Sequence, residues 1–414
     1  MKKWGAMLLA LMLVVMAGCK GQPASEPERE PEQTEEAVGD QAEGEETPAQ
    51  REFDGQIKIG LLTTGTAIAT YTETVTYGAE LAARQLNAAG GVLGKEVVIV
   101  PSDGSNTADE TINGANRLLE DPEVAAVCGY PLSTGCLAIE SLFKQAEKPV
   151  VISGTSVRLK DETDNNYLFR GRASDAIQAR NAAAFLAEEL GMNEVMGILY
   201  ENNDFGQGAL QVVEEYCKEN GITLVAEGFN PTDTDITTQV LKLKDSGCQS
   251  VVTWIAASAV PTVSSNMYNQ GLTVPKCGPV AVTLEENLAN CEPEWIDGWY
   301  GVTDICMTKE DKALKDFIAA YYEAFGDDAY LSNEGANIYS HVLWICDAIE
   351  RAGSTEGPAI MEAMRSTEKF PGLNGNYQLI GDKVDYVATI DIAQDTIVDG
   401  KVTNVFIKTV GEEQ

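Results

Sequence analysis

Histidine and the common catalytic motifs are almost absent from this sequence. His341 is the only histidine among 414 residues, so a Cys/His zinc site is not expected and the usual general base is scarce. The chain has no C-x-x-C pair, no G-x-S-x-G turn, no Walker A loop and no H-E-x-x-H helix. We therefore expect a protein that is not an enzyme and that holds no metal and no cofactor. Chemistry by paired carboxylates stays open, because acidic residues occur throughout the chain.

Positive charge is also scarce. Lys and Arg number 29 against 64 Asp and Glu, which gives a formal net charge of −35. A protein this acidic repels phosphate backbones, so nucleic acid is not an expected partner. The acidity otherwise favours solubility and carries little information about a ligand.

A long apolar run is missing, but the first nineteen residues have the pattern of an export signal. Lys2 and Lys3 precede an apolar stretch over residues 4–15, and small residues then lead to Cys19. The stretch is too short to cross a hydrocarbon core of roughly 30 Å. The pattern predicts a lipoprotein signal over residues 1–18, with Cys19 bearing the lipid that anchors the chain to the membrane outside the cytoplasm. A cleaved signal without a lipid is the alternative.

The segment after the signal has almost no apolar side chains. Residues 20–54 contain twelve Asp and Glu against three basic residues. Low hydrophobicity and charge of one sign leave no core to offset chain entropy. We therefore expect residues 19–54 to form a lipid-anchored, disordered spacer, with a root-mean-square span of roughly 30–35 Å.

Eight cysteines remain beside Cys19, and an even number permits disulfides in an exported protein. Cys277 and Cys291 are the first pair to test, because they are close in sequence and flank a predicted loop. Free buried thiols are an equal alternative. Cys136 lies about one turn into a predicted helix, where the dipole can lower a thiol pKa, but a buried structural thiol is favoured.

Short apolar runs alternate with longer segments of helical spacing from residue 57 onward. The first series has predicted strands at 57–62, 96–100, 124–128 and 149–152, with helices at 72–88, 108–120 and 133–146. The second series has predicted strands at 195–199, 222–226, 250–255 and 276–279, with helices at 176–190, 206–220, 235–245 and 261–269. Residues 309–365 are predicted to be mostly helical, and residues 377–410 to form strands with a turn at Asp399-Gly400. Two successive βαβα series indicate an α/β protein with two doubly wound parallel-sheet lobes.

A set of motifs recurs in a fixed order along this body. Residues 77–82 and 86–95 form a helix and turn, and residues 204–208 follow the first strand of the second series. Further motifs lie at 103, 116–119, 129–133, 149–155, 254, 270–272 and 347–354. In order and spacing they resemble the leucine/isoleucine/valine-type solute-binding proteins of ABC importers, over about residues 57–410.

The resemblance implies a type I periplasmic-binding fold, in which three crossover segments join the two lobes. We place the crossovers near Ser174, Asp304 and Ala388. The expected division is residues 55–174 and 305–388 for lobe 1, and 175–304 and 389–414 for lobe 2. The ligand is then expected in the cleft at the carboxyl ends of the strands, where the lobes close about a hinge.

Ser133 is the leading candidate for holding a carboxylate. It stands at the start of a predicted helix, where a hydroxyl and free backbone N–H groups can bind an anion, although an ordinary helix cap is the alternative. In the resembled family, a serine in this register holds the ligand carboxylate, and Thr134 is adjacent to it. Thr155 matches a family threonine, but the segment is about two residues shorter, so Ser156 is an alternative. Gly154 would let the backbone approach the ligand.

Aromatic side chains are predicted to line the rest of the cleft. Tyr71 aligns with a family tyrosine at the cleft edge. Phe205 replaces another family tyrosine and keeps the apolar wall without the hydroxyl. Trp254 ends a predicted strand and would close the pocket from the second lobe, or else belongs to the core.

The chain departs from the branched-chain binders where their second lobe meets the ligand ammonium group. Val280 occupies the register of the family glutamate, and Ala256 that of a further pocket tyrosine. A buried ammonium without an acceptor is costly, so another acceptor is needed if the ligand is an amino acid. Asp204, Asp304 and Glu285 are the candidates.

These observations predict a monomeric solute-binding lipoprotein that delivers a small carboxylate, most simply a hydrophobic or branched-chain amino acid, to an ABC-type permease complex. An aromatic carboxylate without an amine is one alternative. A sensor that reports the same ligand to a membrane partner is the other.

Overall fold

The computed structural model describes residues 53–159, 167–380, 385–387 and 389–411. The predicted signal, Cys19, nearly all of the predicted spacer and Ala388 lie outside these residues. Among the helices in the described ranges, none combines the length and apolar character that a bilayer crossing needs.

The first lobe is built on a sheet of five parallel strands in the order β2-β1-β3-β4-β5. Its strands are β1 (Gln56–Thr63), β2 (Glu96–Asp103), β3 (Val124–Gly129), β4 (Val150–Ile152) and β5 (Leu168–Arg170). The helices between them are α1 (Ala69–Ala89), α2 (Ala108–Leu119) and α3 (Ser133–Ala146).

The second lobe is built on a sheet of seven strands in the order β14-β13-β10-β9-β8-β6-β7. The parallel strands are β6 (Val195–Glu201), β7 (Thr223–Phe229), β8 (Ser250–Trp254), β9 (Lys276–Gly278) and β10 (Tyr300–Thr303). The antiparallel hairpin β13 (Ile390–Val398) and β14 (Lys401–Val410) extends this sheet beside β10. The helices are α4 (Asp175–Ala184), α5 (Asp204–Asn220), α6 (Thr237–Asp245), α7 (Val260–Asn269), α8 (Glu285–Leu288) and α9 (Pro293–Ile296).

Three further helices follow β10 and pack on the first lobe. They are α10 (Lys312–Phe325), α11 (Asn333–Ala352) and α12 (Gly357–Arg365), and a ribbon of β11 (Phe370–Gly372) and β12 (Gly375–Tyr377) comes after them. Helix α11 packs against both α1 and the sheet, so apolar residues are buried around most of its circumference. Helix α10 packs through Leu314, Phe317 and Tyr321 against Leu81 of α1.

Both faces of the inner strands of each sheet are buried, whereas the edge strand β14 has no buried residue. Successive residues of a strand point to opposite faces, and in β1 Leu61 lies in the core with α1 and α11 while Leu62 lies in the core with α2 and α3. In β6, Ile198 and Leu199 divide between two cores in the same way. Burial on both faces explains why these strands read as continuous apolar runs.

The predicted α/β fold class with two parallel-sheet lobes is confirmed, and α3 begins and ends at the predicted residues. Strands β5, β10 and β11 were not predicted, and β12 lies almost wholly before the range predicted to form strands. In β5 and β10 an arginine or a glycine interrupts the apolar run that marks the other short strands. The helix predicted at 176–190 is α-helical only to Ala184. Its last part is a π-helical turn over Phe185–Glu189, in which the N–H of Leu190 donates to the carbonyl of Phe185.

Every cysteine in the described ranges is a free thiol, so Cys277 and Cys291 are not joined in this structure. All eight are buried except Cys291, which is half-buried. Burial raises the pKa of the Cys136 thiol to about 12, so the dipole of α3 does not make it reactive, and the structural interpretation fits this residue.

The first segment that leads from lobe to lobe is fixed by an unusually well-bonded carbonyl. The Gly171 carbonyl accepts hydrogen bonds from His341 Nε2 (2.9 Å), Asn374 Nδ2 (2.9 Å) and the Tyr377 hydroxyl (3.2 Å). A side chain at Gly171 would come within 2.1 Å of His341 Nε2, so only glycine fits. Because a carbonyl only accepts, Nε2 carries the proton of a neutral imidazole. Burial lowers the pKa of His341 to about 4.

We expect the folded protein to lose stability between about pH 6.5 and pH 4 through His341. In the unfolded chain an imidazole has a pKa of about 6.5, so below that pH the unfolded state binds a proton that the folded state refuses. The linked loss in the free energy of unfolding is on the order of 3 kcal/mol. Urea unfolding of wild type and His341→Gln, which keeps an amide donor, should show a gap that changes with pH over this interval. As the chain has a single histidine, NMR can follow its ring directly, and a folded-state midpoint near 6.5 would contradict the assignment.

Candidate ligand-binding site

Ser133 stands where β3 and β4 end at the same edge of the first sheet. Its Oγ accepts hydrogen bonds from the backbone N–H groups of Thr155 (3.2 Å) and Ser156 (3.1 Å), which follow β4. A hydroxyl that accepts two bonds keeps its own hydrogen for donation. The first N–H groups of α3, including that of Thr134, have no partner within the helix. This corner therefore presents donors suited to an anion.

Arg170 fixes the loop over residues 153–159 through hydrogen bonds to its carbonyl groups. The Arg170 guanidinium donates to the carbonyls of Thr155 (3.4 Å), Ser156 (3.1 Å) and Leu159 (2.6 Å). It also pairs with Asp385, at 3.0 Å, in the segment that leads to β13. The loop conformation is thus tied to two of the segments that join the lobes.

Gly154 and Thr155 face the protein interior more than the sequence suggested. A side chain at Gly154 would approach Cys136 Sγ to 2.8 Å, so this glycine is required by packing against α3. The Thr155 hydroxyl favours the charged form of the Asp175 carboxyl group. The backbone N–H of Asp175 in turn donates to the Thr155 carbonyl at 2.8 Å. Burial raises the pKa of Asp175 to about 6, against the opposing influence of that hydroxyl and of the neighbouring arginines.

Tyr71, in the first turn of α1, lies beside Ser153 at the start of the loop. Both hydroxyls are buried, and neither makes a hydrogen bond of normal geometry to any residue that the structure describes. Burial, reinforced by the negative charge of Glu334, raises the pKa of Tyr71 well above its usual value. Tyr71 is therefore a protonated donor.

The second lobe contributes an aromatic pair. Asp204 and Phe205 begin α5 directly after β6, and Trp254 is the last residue of β8. The rings of Phe205 and Trp254 lie 5.8 Å apart between centroids, with Phe205 half-buried and Trp254 fully buried. The Trp254 indole N–H has no acceptor within the described chain. Phe205 is thus the exposed face of a wall that Trp254 supports from the core.

The two lobes touch at the rim beside this wall. Arg158, in the first-lobe loop, pairs with Asp204 of the second lobe at 2.6 Å. Val157 lies against α5, because a side chain at Gly208 would come within 3.1 Å of it. The arginine and aspartate side chains are 61% and 77% exposed, so this pair contributes little to stability.

A buried cluster of charges lies between the lobes around Arg172. Its guanidinium pairs with Asp304, in the segment that follows β10, and with Glu334 of α11 at 2.6 Å. A third contact reaches the Ser153 carbonyl at 3.5 Å. One arginine therefore connects the first two lobe-joining segments, α11 and the loop beside Tyr71.

A family model described as periplasmic binding protein matches residues 56–394. The chain belongs to the periplasmic binding protein family. A leucine-, isoleucine-, valine-, threonine- and alanine-binding protein of Pseudomonas aeruginosa is 26% identical over 339 residues, covering 81% of this chain and 89% of the relative.

Solved structures share the fold. A leucine-binding protein from Thermotoga maritima superposes with a TM-score of 0.72 at 22% identity, covering 86% of this chain and 99% of the other. A solute-binding protein of an ABC transporter from Rhodopseudomonas palustris, in complex with 3,4-dihydroxybenzoic acid, gives a TM-score of 0.71 at 19% identity, covering 86% and 97%.

The structure shows what surrounds the positions where this periplasmic binding protein departs from the branched-chain binders. Ala256 donates its backbone N–H to the buried carboxylate of Glu201 at 2.8 Å. Val280 starts a short 3-10 turn after β9. Of the acceptors considered from the sequence, Asp204 pairs with Arg158, Asp304 pairs with Arg172, and Glu285 is exposed at the start of α8.

Sequence reasoning missed Arg170, Arg172 and Glu334. Arg172 and Glu334 are 162 residues apart, so no local pattern connects them. Arg170 ends β5 and Arg172 follows Gly171, and two arginines this close together between a buried strand and a helix were the available signal.

We expect Arg172→Met to destabilise the protein by about 3–5 kcal/mol, because it leaves two buried carboxylates without their partner. Arg158→Met removes a pair of similar length from the exposed rim and should cost below about 1 kcal/mol. Urea unfolding of both variants at neutral pH makes the comparison. Equal losses would mean that the Arg172 cluster is as well solvated as the rim.

Proposed function

We propose that this protein captures a small carboxylate, most simply a hydrophobic amino acid, between its lobes and delivers it to an ABC permease. The observation that carries the proposal is the arrangement at the cleft rim. The donors around Ser133 belong to the first lobe, the Phe205–Trp254 wall belongs to the second, and the Arg158–Asp204 pair brings the two together.

The carboxylate end of the ligand is assigned to Ser133 and the start of α3. The hydroxyl of Ser133 and the unpartnered N–H groups of the first helical turn supply hydrogen bonds and the positive end of the helix dipole. Thr134, Ser156 and Gly154 shape this corner. The Thr155 side chain contributes only indirectly, through its interaction with the Asp175 carboxyl group.

The ammonium end is assigned to Glu334 in place of the family's second-lobe glutamate. The cluster of Arg172, Asp304 and Glu334 carries one positive and two negative charges, so its sum favours a cation. The side chain of Glu334 is 14% exposed against 1% for Asp304, which makes it the member that a ligand reaches. Its charge already acts on Tyr71 at the cleft edge.

A carboxylate without an amine is the second candidate. The support is the Rhodopseudomonas palustris neighbour, whose ligand, 3,4-dihydroxybenzoic acid, has no amine. Phe205 and Trp254 suit an aromatic ring equally well as an aliphatic side chain.

We also propose that the protein works outside the cytoplasm with an ABC-type permease complex as its partner. A lipid on Cys19 would tether the monomer outside the cytoplasm, and the permease complex would accept the ligand there. A sensor role uses the same binding chemistry with a different membrane partner, and genes for a permease and an ATPase beside this one would favour transport.

The decisive experiment pairs each hydrophobic amino acid with its deaminated analogue in a thermal-shift panel, after co-purified ligand has been removed. Ligand at a thousand times its Kd adds about 4 kcal/mol, so binders are easily seen. We expect the amino acids to bind and Glu334→Gln to weaken them roughly tenfold or more, with the deaminated acids unaffected. Preferential binding of the deaminated acids to wild type would select the second candidate. A panel without any binder would contradict both.

We further expect Ser133→Ala to weaken whichever carboxylate binds by roughly ten- to hundredfold, because it removes one hydrogen bond to a charged group. Ser265→Ala, in α7, removes a comparable hydroxyl that bonds only within its own helix, and should have no effect. Calorimetry measures the ligand affinity of both variants. Wild-type affinity in Ser133→Ala would place the carboxylate elsewhere.

A further inference from the structure

The rim where the two lobes touch contains a close packing contact as well as an ion pair. Val157 and Arg158 belong to the first-lobe loop, and they meet Gly208 and Asp204 of helix α5 in the second lobe. The Arg158 guanidinium donates to the Asp204 carboxylate at 2.6 Å. We call these four residues the rim contact.

The glycine of the rim contact is explained by the approach of the first lobe. Gly208 lies inside α5, where glycine is a poor helix former. Among the described residues outside its own helix, Val157 Cγ2 is the only atom that a Cβ at this position would meet within 4 Å, at 3.1 Å. Gly208 is nevertheless buried. The missing side chain therefore serves the contact between the lobes rather than the packing of the second lobe.

The same loop connects the rim contact to the candidate carboxylate site. Ser133 Oγ accepts a hydrogen bond from the backbone N–H of Ser156 at 3.1 Å, and Ser156 Oγ accepts one from the backbone N–H of Arg158 at 3.2 Å. One turn of the loop thus fixes both the donors at Ser133 and the backbone that carries the Arg158 guanidinium.

We propose that the rim contact is a latch, which sets how tightly the ligand is held between the lobes without touching it. The inference rests on the proposed function, in which the ligand lies between the lobes and the lobes close about it. An interaction that exists only while the lobes touch adds its free energy to that of ligand binding, because the two equilibria are linked. Arg158 and Asp204 are positioning residues in this proposal, as are Val157 and Gly208.

The size of the ionic effect follows from its exposure. The Arg158 and Asp204 side chains are 61% and 77% exposed. A pair in such surroundings changes an affinity by at most about fivefold and is screened by salt. The latch is therefore weak enough to open and sensitive to ionic strength.

Charge variants test the ion pair of the latch, with affinity measured by calorimetry on the full-length protein at low and high salt. The probe is L-leucine, or phenylacetate if only acids without an amine bind. Arg158→Met should weaken binding about two- to fivefold at low salt and reduce its salt dependence. Arg158→Glu should weaken it further, because two negative charges then face each other, and adding Asp204→Arg should restore it.

Arg180→Met is the matched control for these variants. It removes a pair of similar length, 2.7 Å from Arg180 to Glu219, that lies within the second lobe, so affinity and its salt dependence should stay unchanged. Equal losses in Arg158→Met and Arg180→Met would overturn the latch, because the effect would be one of net charge. A double variant that binds no better than Arg158→Glu alone would also overturn it, because each charge would then act on the ligand rather than on the other.

A reversible crosslink tests the packing half of the rim contact. Val157 Cβ is one bond, about 1.5 Å, from its Cγ2, so Cβ atoms at positions 157 and 208 would lie less than about 5 Å apart, close to the roughly 3.5–4.5 Å of disulfides. Diamide should therefore crosslink the variant Val157→Cys/Gly208→Cys. The crosslink should slow dissociation of the bound probe at least tenfold, until a reductant breaks it.

Mass spectrometry after alkylation counts the thiols that remain, and wild type treated in the same way gives the background from its own cysteines. Val157→Cys/Glu215→Cys, whose second position is exposed two turns further along α5, should not crosslink. No crosslink at 208, with or without probe, would overturn the rim contact, and a crosslink that leaves probe dissociation unchanged would overturn its role as a latch. Failure of both probes to bind wild type would instead contradict the proposed function, while the crosslink yield still shows whether the rim contact forms.

Discussion

The arrangement of the two lobes depends on one buried cation. Arg172 lies in the first segment between the lobes, and its buried charge is balanced by Asp304 and Glu334, with the Ser153 carbonyl as a further contact. A single buried charge costs several kcal/mol, so the chain reaches its lowest free energy only with these distant segments brought together. Arg170 repeats this principle one residue before Gly171, joining the loop after β4 to Asp385. The lobe-joining segments and the loop after β4 are therefore one electrostatic unit.

The contact between the lobes is held much less firmly at its rim. Arg158 and Asp204 are mostly in water, where an ion pair contributes at most about 1 kcal/mol. In the proposed function, a ligand that contacts both lobes would supply several times that free energy. The strong interactions lie in the segments that join the lobes, and the weak ones at the rim where the lobes touch.

Local signals made much of the fold predictable and left the long-range chemistry hidden. Helix α3 was predicted at its observed bounds because a stretch of helical spacing lies between two apolar runs, and Ser133 opens that stretch. Strand β5 has three residues and gave no periodicity. The direction of the Thr155 hydroxyl depends on how a shortened loop runs over Arg170, which no pattern in the sequence encodes. Glu334 became a candidate only once folding had brought it to Arg172.

The cysteines have a consequence for how this chain matures. Eight thiols lie in the folded body, seven of them buried, and the structure uses none in a crosslink. A chain exported unfolded, as its signal pattern predicts, would thus need neither an oxidant nor a disulfide isomerase to reach this state. The same thiols are exposed while the chain is still unfolded, when oxidation would trap non-native pairs. Burial of these sulfurs in the folded state protects them from such pairing.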